Sequence, residues 1–369
     1  MIPLFDLTKE LSDHRRQLDR AIKRVLKRGH FTLGPEGEAL EQAIGLYTGA
    51  KFAIGLSSGT RALQLGLQAL GLKPGDKVIV PALSLPTAFG VADSGAQIVL
   101  VDVRIQDLQI DPAAVEAAIK KHRVKAIVVV HLYGLAAPIK EIIAFAKKYD
   151  VPVLEDCAQA FGVKVEGKHL GTLGELGALS FYPTKNLGAL GDGGMIITNS
   201  KKIADDVRQR RMYGERRERF LSEFPGTNSR LDEMQAAILR VKLGYFKWTK
   251  KQRQALDHLY RLHLADLPVT IPAPSAASEP VPHLFVIQTD KRGELQKFLA
   301  KKNIGTGIHY SRPIHLQPAF KHLGYKAGDF PATERAANTL LSLPFYPTMT
   351  TNQVEKVANA IKKFFLHLR

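Results

Sequence analysis

One lysine, Lys185, stands in the segment Ser180-Phe-Tyr-Pro-Thr-Lys-Asn-Leu-Gly-Ala-Leu-Gly-Asp-Gly-Gly194, just after the apolar run 177–181. Upstream, Val151-Pro-Val-Leu-Glu-Asp156 reads as a buried strand that ends on a carboxylate. A lysine amine can condense with an aldehyde to a Schiff base, and an aspartate can hold a pyridine nitrogen protonated. A pyridoxal 5'-phosphate site requires both. Most lysines are solvated. Here the tight glycine-bearing loop and the acid at a strand end argue for a working one.

The elements that must position these groups follow from apolar spacing. Apolar residues recurring every three or four positions predict helices over 7–27 and 35–46, and one long helix over 231–264. Between them strands (52–56, 77–82, 97–103, 124–130) alternate with helices (59–70, 86–94, 138–149). Asp111-Pro-Ala-Ala opens a further helix with a capping carboxylate and an early proline. Near-continuous apolar strands in such alternation predict an α/β fold, with a mostly parallel sheet covered on both faces. Ligands of such sheets gather outside the carboxyl ends of the strands. Asp156, the Ser58-Gly59-Thr60 turn and the loop after Ala82 all fall there. A Pro/Ala/Ser stretch, 271–280, precedes a strand (283–289), a helix (292–302) and a closing helix (352–368). The expected division is a large domain over 1–240, whose first residues pack on the small lobe, and a small C-terminal domain over 241–369.

At 369 residues, with 45% hydrophobic and 24% charged, the composition is that of a globular chain with two lobes. No apolar run approaches the ~20 residues that cross a bilayer, and no basic-then-apolar leader opens the chain. The lone Cys157 excludes an internal disulfide. These features lead us to expect a cytoplasmic protein with no membrane association. No Cys/His spacing marks a zinc site, and no metal is expected. The 52 basic and 35 acidic residues leave +17. The run 208–219 is the densest basic stretch, but charge is spread over 23–28, 247–253 and 362–363 as well. No nucleic-acid-reading motif accompanies it, so nucleic acid is not an expected partner. A basic surface also attracts an anionic small substrate such as a nucleotide diphosphate. The glycines at 191–194 lack the Lys-Ser/Thr ending of a nucleotide-phosphate loop.

The chain resembles the sugar-nucleotide aminotransferases of the DegT/DnrJ/EryC1/StrS type. The similarity runs through Ile2-Pro-Leu-Phe-Asp-Leu7, Gly59-Thr60, His131-Leu-Tyr-Gly134, Glu155-Asp-Cys-Ala-Gln159 and the lysine loop. It continues through Asn228-Ser-Arg-Leu-Asp-Glu-Met-Gln-Ala-Ala237, His309-Tyr310, Pro313-Ile-His315 and Leu341-Ser-Leu-Pro344. The resemblance implies an aspartate-aminotransferase-like fold and an internal aldimine between pyridoxal 5'-phosphate and Lys185. It implies Asp156 at the pyridinium nitrogen, Gln159 at the 3'-oxygen and Ala158 beneath the ring. Ser180, Gly59 and Thr60 would hold the phosphate, where helix N-terminal N–H groups favour an anion. Asn228 would reach the phosphate of the neighbouring subunit, making a homodimer with shared active sites. Tyr182, His309, Tyr310 and His315 would meet the sugar nucleotide.

The chain departs from the commoner spelling at Leu85, where an aromatic usually stands. Phe89 is therefore the candidate for stacking on the cofactor ring, against the alternative of a core phenylalanine. Arg61, Leu135 and Ala136 are further departures. The lysine loop and the segment 111–119 are most similar to the branch that aminates sugar C3. That branch would take a dTDP-3-keto-6-deoxyhexose, with L-glutamate as donor, to a dTDP-3-amino-3,6-dideoxyhexose. A C4-specific aminotransferase is the nearest alternative. A dehydratase carries histidine in place of the lysine, and a non-catalytic regulator needs neither lysine nor acid.

Overall fold

The structure is a computed structural model describing residues 1–215 and 220–366. Part of the basic run (216–219) and the end of the closing helix (367–368) lie outside the described residues.

The first half alternates as its apolar periods require. Helices α1 (Thr8–Asp13), α2 (Arg15–Arg28) and α3 (Pro35–Thr48) precede β1 (Phe52–Leu56), α4 (Gly59–Ala69) and β2 (Lys77–Pro81). Then come α5 (Leu85–Asp93), β3 (Gln97–Val101), α6 (Pro112–Lys121), β4 (Val124–Val130), α7 (Ile139–Lys148) and β5 (Val153–Asp156). Short strands β6 (Lys164–Val165) and β7 (Lys168–His169) lead to β8 (Leu176–Ser180), β9 (Gly194–Thr198) and α8 (Lys201–Arg210). Local signals set the helix starts. Ser58 Oγ accepts from Arg61 N at 3.2 Å, and Asp111 Oδ1 from Ala113 N at 3.0 Å.

Seven strands form one sheet in the order β1-β9-β8-β5-β4-β2-β3. The pairs β2–β3, β2–β4, β4–β5 and β5–β8 are parallel; β9 runs antiparallel to both β1 and β8. Apolar clusters cover both faces. One holds Ile79, Ile127, Val129 and Ile197, and the other Val78, Val80, Val128 and Ile196, neighbouring residues of the same strands.

The expected single helix over 231–264 is two, α9 (Glu233–Gly244) and α10 (Phe246–Leu264), broken at Tyr245. The expected helix over 7–27 breaks likewise at His14. The two breaks meet: the His14 and Tyr245 rings stack at 3.7 Å and 6°. β10 (Ser278–Glu279) joins β6 and β7 in a small sheet. The chain continues through β11 (Phe285–Gln288), α11 (Arg292–Lys301), α12 (Pro331–Thr339), β12 (Leu340–Leu343) and α13 (Thr351–Leu366). A third apolar cluster holds Leu256, Tyr260, Phe285, Leu341 and Ile361, with Ile2 and Phe5 packed against it. The amino terminus is tied there, Ile2 N donating to Asn303 O at 2.8 Å and Phe345 N to Leu4 O at 3.1 Å.

Candidate active site

β5 and β8 run parallel and end side by side, Asp156 in register with Ala178. α4 starts after β1, which β9 separates from β8, and α5 starts after β2, which β4 separates from β5. These ends enclose a cavity of about 300 Å³ whose lining includes Ser58, Gly59, Thr60, Asp156, Ala158, Ser180, Tyr182 and Lys185. Seven of the residues expected at the site from sequence therefore share one cavity.

Asp156 is 4% exposed, and both of its oxygens are engaged. Oδ1 accepts from Ala158 N at 3.0 Å and Oδ2 from Thr87 Oγ1 at 2.7 Å. Burial pulls the Lys185 amine down to about 8, while the nearby Asp156 charge opposes that fall. Gln159 Oε1 accepts from Tyr133 N at 2.7 Å, which leaves its amide nitrogen to donate. That nitrogen lies 3.4 Å from Tyr310 Oη. Burial, and then the Asp156 charge, push the Tyr310 phenol up to about 12. His309 Nδ1 lies 2.8 Å from Ser342 Oγ, and His309 O accepts from Tyr133 Oη at 2.6 Å. Burial, with Lys185 nearby, lowers the His309 imidazole, so its neutral form is favoured.

Six expected residues do not line this cavity: Gln159, His309 and Tyr310, bonded as described above, and Phe89, His315 and Asn228. The structure places Phe89 away from the cavity: the residue is 44% exposed and its ring packs on Phe320 at 5.1 Å. α5 already begins at Leu85, so its first turn presents Pro86 and Thr87 to the cavity and Phe89 falls on the next turn. His315 is buried against Phe330, its Nε2 2.9 Å from Glu334 Oε1. Asn228 is exposed, its backbone bridged to Met212. Thr87, Tyr133 and Asp192 are site neighbours that sequence reasoning missed. For Thr87 the available signal was Ser84-x-x-Thr87, two hydroxyls one turn apart at a strand-to-helix junction.

The residues present fit pyridoxal phosphate. A Cβ on Gly59 would stand 2.8 Å from Ser180 Cβ, so the backbone and the Ser180 hydroxyl converge only because residue 59 is glycine. The N–H groups of Gly59 and Thr60 open α4 and have no intrahelical acceptor. An anion-binding end, a lysine with a lowered pKa and a buried carboxylate thus face one space. His131, Glu155 and Cys157 also cluster, but the imidazole and the carboxylate are already engaged, and burial pushes the Cys157 thiol up. His131 Nδ1 accepts from Ala137 N at 3.1 Å, and Nε2 donates to Glu155 Oε2 at 3.1 Å. Glu155 also accepts from the N–H groups of Gly171, Leu173 and Gly174. The cluster pins the 171–174 turn beneath β5.

Fold and cavity together define a pyridoxal-phosphate aminotransferase. Residues 12–362 match the DegT/DnrJ/EryC1/StrS aminotransferase family, and the chain belongs to that family. It is 42% identical to a pleiotropic regulatory protein of Geobacillus stearothermophilus, over 99% of both chains. It is 38% identical to the dTDP-3-amino-3,4,6-trideoxy-alpha-D-glucose transaminase of Streptomyces venezuelae, over 98% of this chain and 96% of the relative. The crystal structure of S. venezuelae DesV in complex with a ketimine intermediate superposes with a TM-score of 0.95 at 38% identity, over 98% of each chain. Other relatives are named for UDP-linked sugars.

Proposed function

We propose that this chain moves the amino group of L-glutamate onto a nucleotide-linked keto-sugar, converting a dTDP-3-keto-6-deoxyhexose to a dTDP-3-amino-3,6-dideoxyhexose. The observation that carries the reading is Lys185, its pKa lowered by burial, sharing one cavity with the buried Asp156. Bound pyridoxal phosphate would supply an electron sink. Lys185 would hold it covalently through Nζ and, once displaced by the amino donor, carry the proton at the reacting carbon. Asp156 would hold the ring nitrogen, and Gln159 would donate its free amide N–H to the ring oxygen. Ser180, with the Gly59 and Thr60 N–H groups, would bind the phosphate, and Ala158 would leave room for the ring. Tyr182, His309 and Tyr310 would meet the sugar nucleotide, and His315, held by Glu334, would support them from the same lobe.

We further propose a cytoplasmic homodimer in which Asn228 completes the neighbouring protomer's phosphate site. Its exposure, and that of Tyr213 and Leu221 in the same stretch, favours a covered face there. The domain boundary we place at 240/241, in the last turn of α9 and ahead of the break at Tyr245. Amination at C4 is the competing regiochemistry.

The test is the absorption spectrum of the purified protein before and after L-glutamate, with borohydride trapping. A yellow protein that glutamate bleaches, and that borohydride labels on Lys185, supports the reading. 3-keto and 4-keto dTDP sugars are then compared as acceptors. A protein that stays colourless with added pyridoxal phosphate overturns it and leaves a regulatory role to be examined.

A further inference from the structure

Three buried side chains in line connect α5 to the carboxylate at the end of β5. Ser84 Oγ lies 2.7 Å from Thr87 Oγ1, and Thr87 Oγ1 lies 2.7 Å from Asp156 Oδ2. Ser84, Thr87 and Asp156 are 4%, 1% and 4% exposed. A carboxylate oxygen only accepts, so the Thr87 hydroxyl donates to Asp156 and takes its own hydrogen bond from Ser84. The chain therefore has one direction, Ser84 to Thr87 to Asp156, and each bond polarises the next. Oδ1 is held separately by Ala158 N at 3.0 Å. Two tethers from different elements, one on each oxygen, fix the plane of the carboxylate.

We propose that Thr87, backed by Ser84, is a positioning residue that aims the Asp156 carboxylate at the nitrogen of a bound pyridine ring. This role rests on the cofactor reading above. The Ser84–Thr87 pair sits at the start of α5, the same turn that lines the cavity through Pro86 and Thr87. Thr87 therefore couples the placement of that wall to the orientation of the acid. With one tether gone, Asp156 could turn about its Cβ–Cγ bond, and the ring contact would lose the benefit of being prearranged.

The experiment uses the full chain freed of cofactor. It is titrated with pyridoxal 5'-phosphate and with the 1-deaza analogue, which carries C–H where the ring nitrogen stands. Both compounds offer the same aldehyde and phosphate, so the ratio of their Kd values isolates the ring-nitrogen contact. Thr87→Val, close in shape but without a donor, should cut the wild-type preference for the nitrogen compound by about tenfold, the scale of one hydrogen bond to a charged group. Thr87→Ser should preserve it, and Ser84→Ala should reduce it by a smaller factor. The Ser84→Ala arm also carries the test if Thr87→Val does not fold. Equal weakening of both compounds, or an unchanged ratio, would overturn the role and leave Thr87 as packing. If the wild-type chain binds neither compound, the cofactor reading itself falls, and the role with it.

Discussion

Gly194 lies against Ser58, the backbone of the first residue of β9 meeting the cap of α4. A methyl group on Gly194 would overlap the Ser58 carbonyl and stand 2.6 Å from Gly59 N. The obstacle is backbone, so no side chain can swing aside. The site's anion-binding turn is thus pressed directly onto a central strand of the sheet. Gly194→Ala should push the Ser58-Gly59-Thr60 turn away from Ser180. We expect the Kd for pyridoxal phosphate to rise by at least about tenfold, with a loss of stability in the ~1–3 kcal/mol range of overpacked sites. Spectral titration and thermal melts measure both. Unaltered cofactor affinity would separate this contact from phosphate binding.

Lys185 sets a pH dependence whose sign follows from its environment. Burial lowers the amine to about 8, from an ordinary value of 10.5. The neutral amine is the nucleophile, so about a tenth of the protein is competent at pH 7, against roughly one part in three thousand for an ordinary lysine. The capture rate of pyridoxal phosphate by cofactor-free protein should climb with pH and level off above about 8. Stopped-flow absorbance reads this directly. Lys185→Ala should keep the fold and abolish both capture and turnover. A rate still climbing at pH 10 would mean that burial does not tune this amine.

The shared-site proposal makes a complementation experiment decisive. Lys185→Ala and Asn228→Ala proteins should each be nearly inactive alone. If each site takes Lys185 from one protomer and Asn228 from the other, a randomised mixture should regain about a quarter of wild-type activity. Half the dimers are then mixed, and each has one intact site of two. Transaminase assay after denaturation and joint refolding is the measurement. No recovery would place both residues in one protomer's site.

The parts of the site that were legible in the sequence are those where the backbone pattern itself carries the information. The apolar run before Asp156 and the one before Lys185 read as buried strands, and the parallel pairing of β5 with β8 brings their carboxyl ends together. Thr87 was illegible because a hydroxyl in a helix has many local uses, and only the tertiary approach of α5 to β5 gives it Asp156 as partner. Phe89 lies two positions past Thr87 on α5, so it points to a different side of the helix and meets Phe320, a partner 231 residues away that local spacing does not reveal. The breaks at His14 and Tyr245 were hidden for a related reason. Both segments keep helical spacing throughout, and the stacking that accompanies the kinks joins residues 231 positions apart. α8 was overlooked behind its charge. Ser200 caps it, and Ile203, Ala204 and Val207 form its buried stripe.

A carboxylate gathered by three arginines predicts how the fold fails in acid. Glu36, 1% exposed, receives Arg24 Nε at 2.6 Å and Arg28 Nη1 at 2.9 Å, and pairs with Arg240 of α9. The hydrogen bond from Arg24 is the main cause that draws this carboxyl down to about 2; burial opposes it and Arg240 assists. The folded value lies below the unfolded one, so this stabilisation is fully present above about 4.5 and is lost as pH falls towards about 2. Glu36→Gln should lower stability at neutral pH, because three guanidinium groups keep their positions without the charge that gathers them. It should also flatten the dependence of the denaturant midpoint on pH across that acid window. Two variants separate charge from packing: Arg240→Met should reproduce part of the neutral-pH loss, whereas Lys9→Met, remote from the cluster and paired with exposed Asp13, should change little. A Glu36→Gln protein with the wild-type acid profile would show that this ion cluster does not set the acid stability of the α2, α3 and α9 packing.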